Sequence, residues 1–296
     1  MNSEQTNSNP TGIVPGDQPA ASVGKPRMTV IEPQTGWVSL NLPEVWHYRD
    51  LLQLLVWRDV SARYRQSFLG ISWAIFRPLL TALIYTLVFS VFVKVQTDVP
   101  YPLFAFAALI PWMYFSAALS SVTTSVAAAG GLLTKVYFPR LVLPIAAAGP
   151  GLIEVGIQLI IVAGLMAVYR YPPTSAVVFL PIFVGLTVLT AFAFGVWLTA
   201  LNVKYRDVGM AVPFFLQIWM YLCPIVYPLS LVPERFRQVY SLNPMVGVIE
   251  GFRWSLIGSA SPEWTSVGLS AGVLFILLIS GLYFFRRTES AFADVI

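Results

Sequence analysis

Apolar stretches of close to twenty residues recur along this chain, and that is the length an α-helix needs to cross a lipid bilayer. The clearest cover residues 78–93, 103–126, 141–169, 176–201 and 209–227, and a sixth covers residues 266–285. Charged residues are nearly absent between their ends. Because a bilayer offers no water to backbone polar groups, such segments form helices. The sequence therefore predicts an all-α polytopic membrane protein with six transmembrane helices.

The composition agrees with a membrane protein and narrows its chemistry. Hydrophobic residues make up 57% of the 296 residues and charged residues only 11%, a balance that a soluble domain does not show. The basic residues lie beside the apolar stretches, where anionic lipid head groups attract them, so we expect no nucleic-acid partner. With one cysteine, Cys223, and one histidine, His47, the chain offers little for a metal site or a His-based triad.

The N-terminal tail, residues 1–35, is rich in Pro, Gly, Ser, Asn and Thr and contains no apolar stretch, so we expect it to be disordered. It also lacks the basic start and apolar middle of a cleavable signal peptide. Most Lys and Arg residues beside the spans fall on one side, which the positive-inside rule makes cytoplasmic. That side holds Arg49, Arg58, Arg63, Arg65, Arg77, Lys135, Arg140, Lys204, Arg206, Arg286 and Arg287. The distribution predicts a multi-pass protein with both termini in the cytoplasm.

Residues 36–68 form an interfacial region ahead of the first span. Apolar residues recur there at helical spacing between charged ones, from Val45 to Val56, and Trp46 and Trp57 suit the head-group level. The pattern is typical of an amphipathic helix on the membrane surface. Such a helix anchors the chain, and it could also contact a cytoplasmic partner; the residues leave both roles open.

Two features interrupt the six-span domain, residues 69–296. The first is the cytoplasmic stretch 130–140, GGLLTKVYFPR, whose glycines can end one helix and whose Pro139 stops the next. Its apolar residues could form one face of a docking surface for a soluble partner. An ordinary interfacial loop is the alternative.

The second feature is the stretch 228–259, with two helix-like pieces separated by Asn243 and Pro244. Neither piece is long enough to cross a bilayer and both are apolar, which predicts a re-entrant hairpin that enters from the outer face. Glu250 and Arg253 are three residues apart and share a helical face. They could neutralise each other, which we favour, or touch a polar ligand.

Glu154 is the only acidic residue deep in an apolar run, and it follows a Gly-Pro-Gly sequence that should bend the third helix. A carboxylate at this depth indicates either a function or a structural hydrogen bond, for example with Gln158. Aromatic stripes on the first and fifth spans either pack and face lipid or stack on sugar rings in a conduit. The channel-lining candidates are Tyr85, Phe89, Phe92, Glu154, Phe215 and Trp219.

Several segments, taken in order, resemble one family. They are LLVWRDVSARYRQSFLGISWAIFRPL, GLLTKVYFPRLVLP, NVKYRDVG and YLCPIVYPLSLVPERFRQVYSLNPMVGVIEGFR. From about Val38 to the C-terminus, the chain resembles the permease subunit of ABC exporters for cell-surface polysaccharides, the O-antigen, capsule and teichoic-acid class. The chain has no Walker-type G-x-x-x-x-G-K-[ST] sequence of its own.

The resemblance implies a homodimer in the cytoplasmic membrane that pairs with two cytoplasmic ABC ATPase subunits. ATP and Mg would bind to those subunits, so this chain would hold no cofactor and would not be an enzyme. A polyprenyl-pyrophosphate-linked polysaccharide would leave through a channel between the two protomers, and the outer hairpin of the family matches residues 233–257, with Asn243, Pro244, Glu250 and Arg253.

The resemblance also assigns roles to basic and apolar residues on the cytoplasmic side. The ATPase-coupling residues would be Leu132, Leu133, Lys135, Val136, Tyr137, Phe138 and Arg140, with Arg58 and Asp59 on the interfacial helix. Candidates for capture of the pyrophosphate are Arg63, Arg65 and Arg77, although membrane topology alone also explains them.

Other classes of function fit the residues less well. An ABC exporter of a small lipid or drug is the main alternative, because only the polysaccharide-like motifs and aromatic stripes separate the two. A membrane-embedded glycosyl- or acyltransferase would need a positioned base or metal-binding acids. An ion-coupled carrier would show intramembrane charges and broken helices in two corresponding halves.

Overall fold

The computed structural model describes residues 42–65, 70–133, 135–259 and 261–289. The predicted tail over residues 1–35 and the outer parts of the interfacial region, residues 36–41 and 66–68, lie outside these ranges. Within the described ranges every regular element is helical. The predicted all-α fold is therefore confirmed.

The described α-helices, in chain order, are α1 (Leu42–His47), α2 (Arg49–Arg65), α3 (Trp73–Tyr85), α4 (Tyr101–Ala128), α5 (Gly130–Leu133), α6 (Val142–Ala148), α7 (Gly151–Val168), α8 (Leu180–Lys204), α9 (Asp207–Tyr221), α10 (Glu234–Ser241), α11 (Pro244–Ile257) and α12 (Trp264–Glu289). A π-helical segment, Thr86–Phe92, extends α3, and short 3-10 turns occur at Gly70–Ser72, Ser175–Phe179 and Leu229–Leu231.

Five helical stretches are long and apolar enough to cross a membrane. They are Trp73–Phe92, Tyr101–Ala128, Val142–Val168, Ser175–Lys204 and Trp264–Glu289. They coincide with the first four predicted spans and the sixth, within a few residues at each end.

The predicted fifth span corresponds to α9, which has only 15 residues. At 1.5 Å per residue it is about 22 Å long, shorter than the roughly 30 Å of a bilayer core. The helix ends at Tyr221 because Pro224 disfavours helical backbone just before it. Residues 223–226 then continue as buried turns. A count of six spans stays a prediction.

The third span bends where the sequence predicts it. Between α6 and α7 the helix is interrupted at Gly149 and Pro150. A Cβ at Gly149 would lie 2.9 Å from a methyl carbon of Val56, so the glycine lets α2 approach the bend closely. One face of α2 packs on α6 through the buried Leu55.

Helix α4 forms the centre of the bundle, with most of its residues buried. It packs against α6, α7, α8, α9 and α11. Helix α11 is also almost entirely buried, although it has only 14 residues. The two predicted pieces of the hairpin are therefore present as α10 and α11, while their re-entrant path stays a prediction.

Candidate functional site

One end of the bundle brings together the predicted coupling elements. We call it the basic end, and it comprises α2, residues 129–133 and 135–143, and the last turns of α8 and α12. Val45 and Leu55 share one hydrophobic cluster with Phe138 and Leu141, and Phe285 of α12 joins it. The interfacial helix and the stretch 130–140 therefore pack on the same core.

The tip of the stretch 130–140 projects from this core. Lys135, Val136 and Tyr137 are exposed, the last two at 51% and 68%. Phe138 directly beside them is 3% exposed, and Leu132 and Leu133 are half-buried against the same cluster. The exposed tip thus stands on a buried apolar base, which suits a rigid contact surface.

Three of the charged coupling candidates, Arg140, Arg58 and Asp59, have partners within the chain. Arg140 donates a guanidinium hydrogen bond to the Glu289 carbonyl, and its backbone N–H donates to the Glu289 carboxylate at 3.3 Å. Arg58 and Asp59 form an ion pair of 2.8 Å. Both line a cavity of about 230 Å³ between α2, α4 and α6. The contact of Arg140 with Glu289 ties the stretch 130–140 to the end of α12.

The three arginines considered for pyrophosphate capture differ in their surroundings. Arg63 donates to the Glu154 carboxylate at 2.6 Å. Arg65 and Arg77 are exposed, and neither has a carboxylate partner among the residues that the structure describes. Arg65 and Arg77 therefore keep their charge available to an anion, while Arg63 is paired.

Glu154 lies in the first turn of α7 and contacts the interfacial helix. Besides Arg63, the Tyr64 hydroxyl donates to the same carboxylate oxygen at 3.4 Å. Burial raises the pKa of Tyr64, and the negative charge of Glu154 raises it further. These contacts fasten the C-terminal end of α2 to the bent third span.

The aromatic candidates divide into packed and exposed side chains. The ring of Trp219 packs edge-on against Phe115 and Phe194, at centroid distances of 5.1 and 4.8 Å. Tyr85 donates to the Met220 sulfur at 3.2 Å, and Phe89 packs beside Tyr85. The exposed members of the two stripes are Phe92 and Phe215. One part of each stripe thus packs its span against the core, and the other part leaves apolar side chains exposed on the surface.

The hairpin candidates form a buried polar centre at the other end of the bundle. Asn243 caps α11, because its side-chain oxygen accepts from the Met245 N–H at 3.1 Å, and Pro244 is the first helical residue. Arg253 is 1% exposed and donates to Glu250 at 3.1 Å and to the Ile225 carbonyl at 2.7 Å. Its guanidinium also stacks over the Phe104 ring at 3.6 Å. Glu250 and Arg253 thus form an ion pair, and their role in neutralising each other stays a prediction.

Asn202 lies at the basic end and was not among the site residues predicted from the sequence. Its side chain donates to the Thr123 carbonyl at 3.2 Å and accepts from the Gly209 N–H at 2.8 Å. It therefore joins α4, α8 and the start of α9 beside a cavity of about 610 Å³. The available signal was its place as the first residue of NVKYRDVG, a polar side chain at the end of an apolar run.

Residues 50–257 match the protein family described as ABC-2 type transporter. The chain is 32% identical over 255 residues to the O-antigen export system permease protein RfbA of Myxococcus xanthus, covering 86% of this chain and 98% of that protein. It is 30% identical to an RfbA protein of the same description from Klebsiella pneumoniae, over 83% of this chain and 95% of that one. It is 23% identical to the polysialic acid transport protein KpsM of Escherichia coli, over 81% and 94% of the two chains.

Proposed function

This chain belongs to the ABC-2 type transporter family, and from that membership we propose that it is the permease subunit of an ATP-driven exporter of cell-surface polysaccharide. It is a membrane transport component rather than an enzyme. The observation that carries the proposal is the alignment with O-antigen export permeases over nearly their whole length. The resemblance identified in the sequence is thereby confirmed at the level of the family.

The partner in the proposal is a cytoplasmic ABC ATPase, two copies for each pair of permeases. Its docking surface is the tip formed by Lys135, Val136 and Tyr137, with α2 beside it. Two observations support this surface, the exposure of the tip and its buried base at Phe138. ATP and Mg bind to the ATPase, and movement of the tip is passed to the bundle because packed helices shift as rigid bodies.

The path of the substrate in the proposal lies between two copies of this chain. The exposed apolar side chains on the first and fifth spans, such as Phe92 and Phe215, need either lipid or protein to cover them. A homodimer that places these faces together would form a conduit with aromatic walls. Weak stacking on sugar rings would let a long glycan slide without a deep binding minimum.

The substrate in the proposal is a polysaccharide carried on a polyprenyl pyrophosphate, taken from the inner leaflet of the cytoplasmic membrane. Arg65 and Arg77 are the arginines proposed to attract its pyrophosphate, because both are exposed near the start of the first span, on the side that the charge distribution predicts to be cytoplasmic. Arg63 is less suited, since it already neutralises Glu154. Both termini lie in the cytoplasm in this arrangement.

Deletion of the gene tests this function. Cells that lack the chain should accumulate lipid-linked polysaccharide on the cytoplasmic side and lose it from the surface, and the intact chain should restore export. The readout is the fraction of glycan accessible to an external glycosidase or antibody. If the glycan still reached the surface while a small lipid or drug accumulated inside, the alternative exporter class would replace this proposal.

A further inference from the structure

A groove beside the third span lies at the end of the bundle opposite the basic end. It runs between the last turns of α7, the residues that open the fourth span and the end of α11, with a volume of about 640 Å³. Its walls are almost wholly apolar and include Leu159, Val162, Met166, Val177, Leu180 and Leu256. Among the described residues that line it, Arg170 is the only charged one.

Aromatic residues mark the membrane boundary at this end. Trp254 packs against Phe179 and Trp264, with ring centroids 5.3 and 5.5 Å apart. Trp264 and Tyr169 are exposed. Since Trp and Tyr side chains gather at the head-group level, the apolar walls of the groove lie at hydrocarbon depth and Arg170 lies where head groups are.

The backbone at Arg170 is of the kind that favours glycine. Its φ is +52°, and it follows the end of α7, where the Tyr171 N–H donates to the Met166 carbonyl at 2.8 Å. Helices commonly end on a left-handed glycine at this point, so glycine fits the backbone of this position. Arg170 is exposed here beside the groove, and no carboxylate in the described ranges pairs with it.

We propose that this groove binds one anionic phospholipid, with an acyl chain along the apolar walls and the phosphate paired with Arg170. A concave apolar wall beneath a single unpaired cation matches an amphipathic anion. If a second copy of the chain occupied the groove instead, it would have to place a carboxylate beside Arg170. The site does not depend on which substrate the transporter moves.

Native mass spectrometry of the full-length protein in mild detergent tests the site. Phosphatidylglycerol and phosphatidylcholine with identical acyl chains are added in turn, and the retained lipid is counted. One cation near a lipid phosphate favours the anionic lipid by roughly fivefold. Arg170→Gly, which suits the backbone, should remove this preference, and Arg170→Lys should keep most of it.

Lys94 provides a matched control. It also has a positive φ, +58°, and is exposed at the same membrane end, but it does not line the groove. Lys94→Gly should therefore leave the preference unchanged. Ala163 lines the groove and is exposed, so Ala163→Trp should fill the groove and lower retention of both lipids.

Four results would overturn the site. If Arg170→Gly and Lys94→Gly lost the preference equally, the preference for the anionic lipid would come from overall surface charge and not from Arg170. Unchanged lipid retention in Ala163→Trp would show that the groove holds no acyl chain. Stronger retention of an added polyprenyl phosphate than of phosphatidylglycerol would assign the groove to the lipid carrier. A change in the dimer-to-monomer ratio of Arg170→Gly without a change in lipid would make this face a contact between copies.

Discussion

Arg253 is buried in the hairpin and holds three elements together through one guanidinium. Arg253→Leu would leave the half-buried Glu250 carboxylate without its cation and the Ile225 carbonyl without a donor. Breaking a buried pair in this way costs about 3–5 kcal/mol. Glu250→Gln keeps a hydrogen-bond acceptor and should cost clearly less. Thermal unfolding of the purified protein in detergent measures both, and equal losses would contradict this account of the pair.

The ion pair between Arg63 and Glu154 predicts coupled mutational effects. Arg63→Gln and Glu154→Gln each remove one partner of the 2.6 Å contact. Both side chains keep some exposure, so we expect a coupling free energy of about 1 kcal/mol, with the double variant no less stable than the poorer single variant. A double-mutant cycle from unfolding experiments gives this value. Simple additivity would show that the pair does not fasten α2 to the third span.

The partner of Glu154 could not be read from local sequence. Spacing suggested Gln158, one turn away, but Arg63 lies 91 positions from Glu154 in the chain. Only the packing of α2 on the bend of the third span brings the two together. The Arg140 contact with Glu289 has the same origin, because it depends on where α12 ends.

At the scale of elements, the stretch 130–140 contains two adjacent aromatic residues whose substitution should affect different properties, ATPase binding for one and stability for the other. Tyr137→Ala should reduce export and ATPase co-purification while leaving stability nearly unchanged, because its side chain is exposed. Phe138→Ala should lower stability by about 3–5 kcal/mol, because it empties a buried site. Unfolding curves and pull-down yields separate the two effects. Loss of stability in Tyr137→Ala with intact ATPase binding would contradict the assignment of the tip.

Two glycines, one closely packed and one with open space beside it, should respond oppositely in stability to substitution by alanine. A Cβ at Gly251 would lie 1.8 Å from a ring carbon of Phe183, so Gly251→Ala should destabilise the packing of α11 on α8 by about 1–3 kcal/mol. Gly164 on α7 has nothing within 4 Å of an added Cβ. Gly164→Ala should therefore be neutral or stabilise by up to about 1 kcal/mol. Unfolding temperatures of the two variants check this, and a lower value for Gly164→Ala would count against the described packing.

Most elements followed from the sequence because long apolar runs leave few structural choices in lipid. The fifth span was the exception. Its apolar run extends to Tyr227, but Pro224 ends the regular helix at Tyr221. The packing of Trp219 could not be predicted either, because an aromatic stripe has the same sequence pattern whether it faces a conduit or a core.

At the scale of the whole molecule, the two ends of the bundle have different chemistry. The basic end gathers exposed arginines and the exposed tip of residues 135–137, as expected for contact with a cytoplasmic partner. The opposite end holds the buried helix α11 and the lipid-sized groove. From charge alone, the sequence predicted only which ends of the spans share the basic side, and it gave no sign of the groove. It could not show how two copies meet, because lipid-facing and protomer-facing side chains are equally apolar.

The central claim, that this chain is a permease driven by a separate ATPase, is tested most directly by quantitative mass spectrometry of proteins that co-purify with it. The chain is extracted from its native membrane in mild detergent and compared with Tyr137→Ala. An ABC ATPase present in equal amount, and depleted in the variant, is the expected result. An intact, folded chain with no ATPase, under conditions that preserve other ABC transporters, would contradict it.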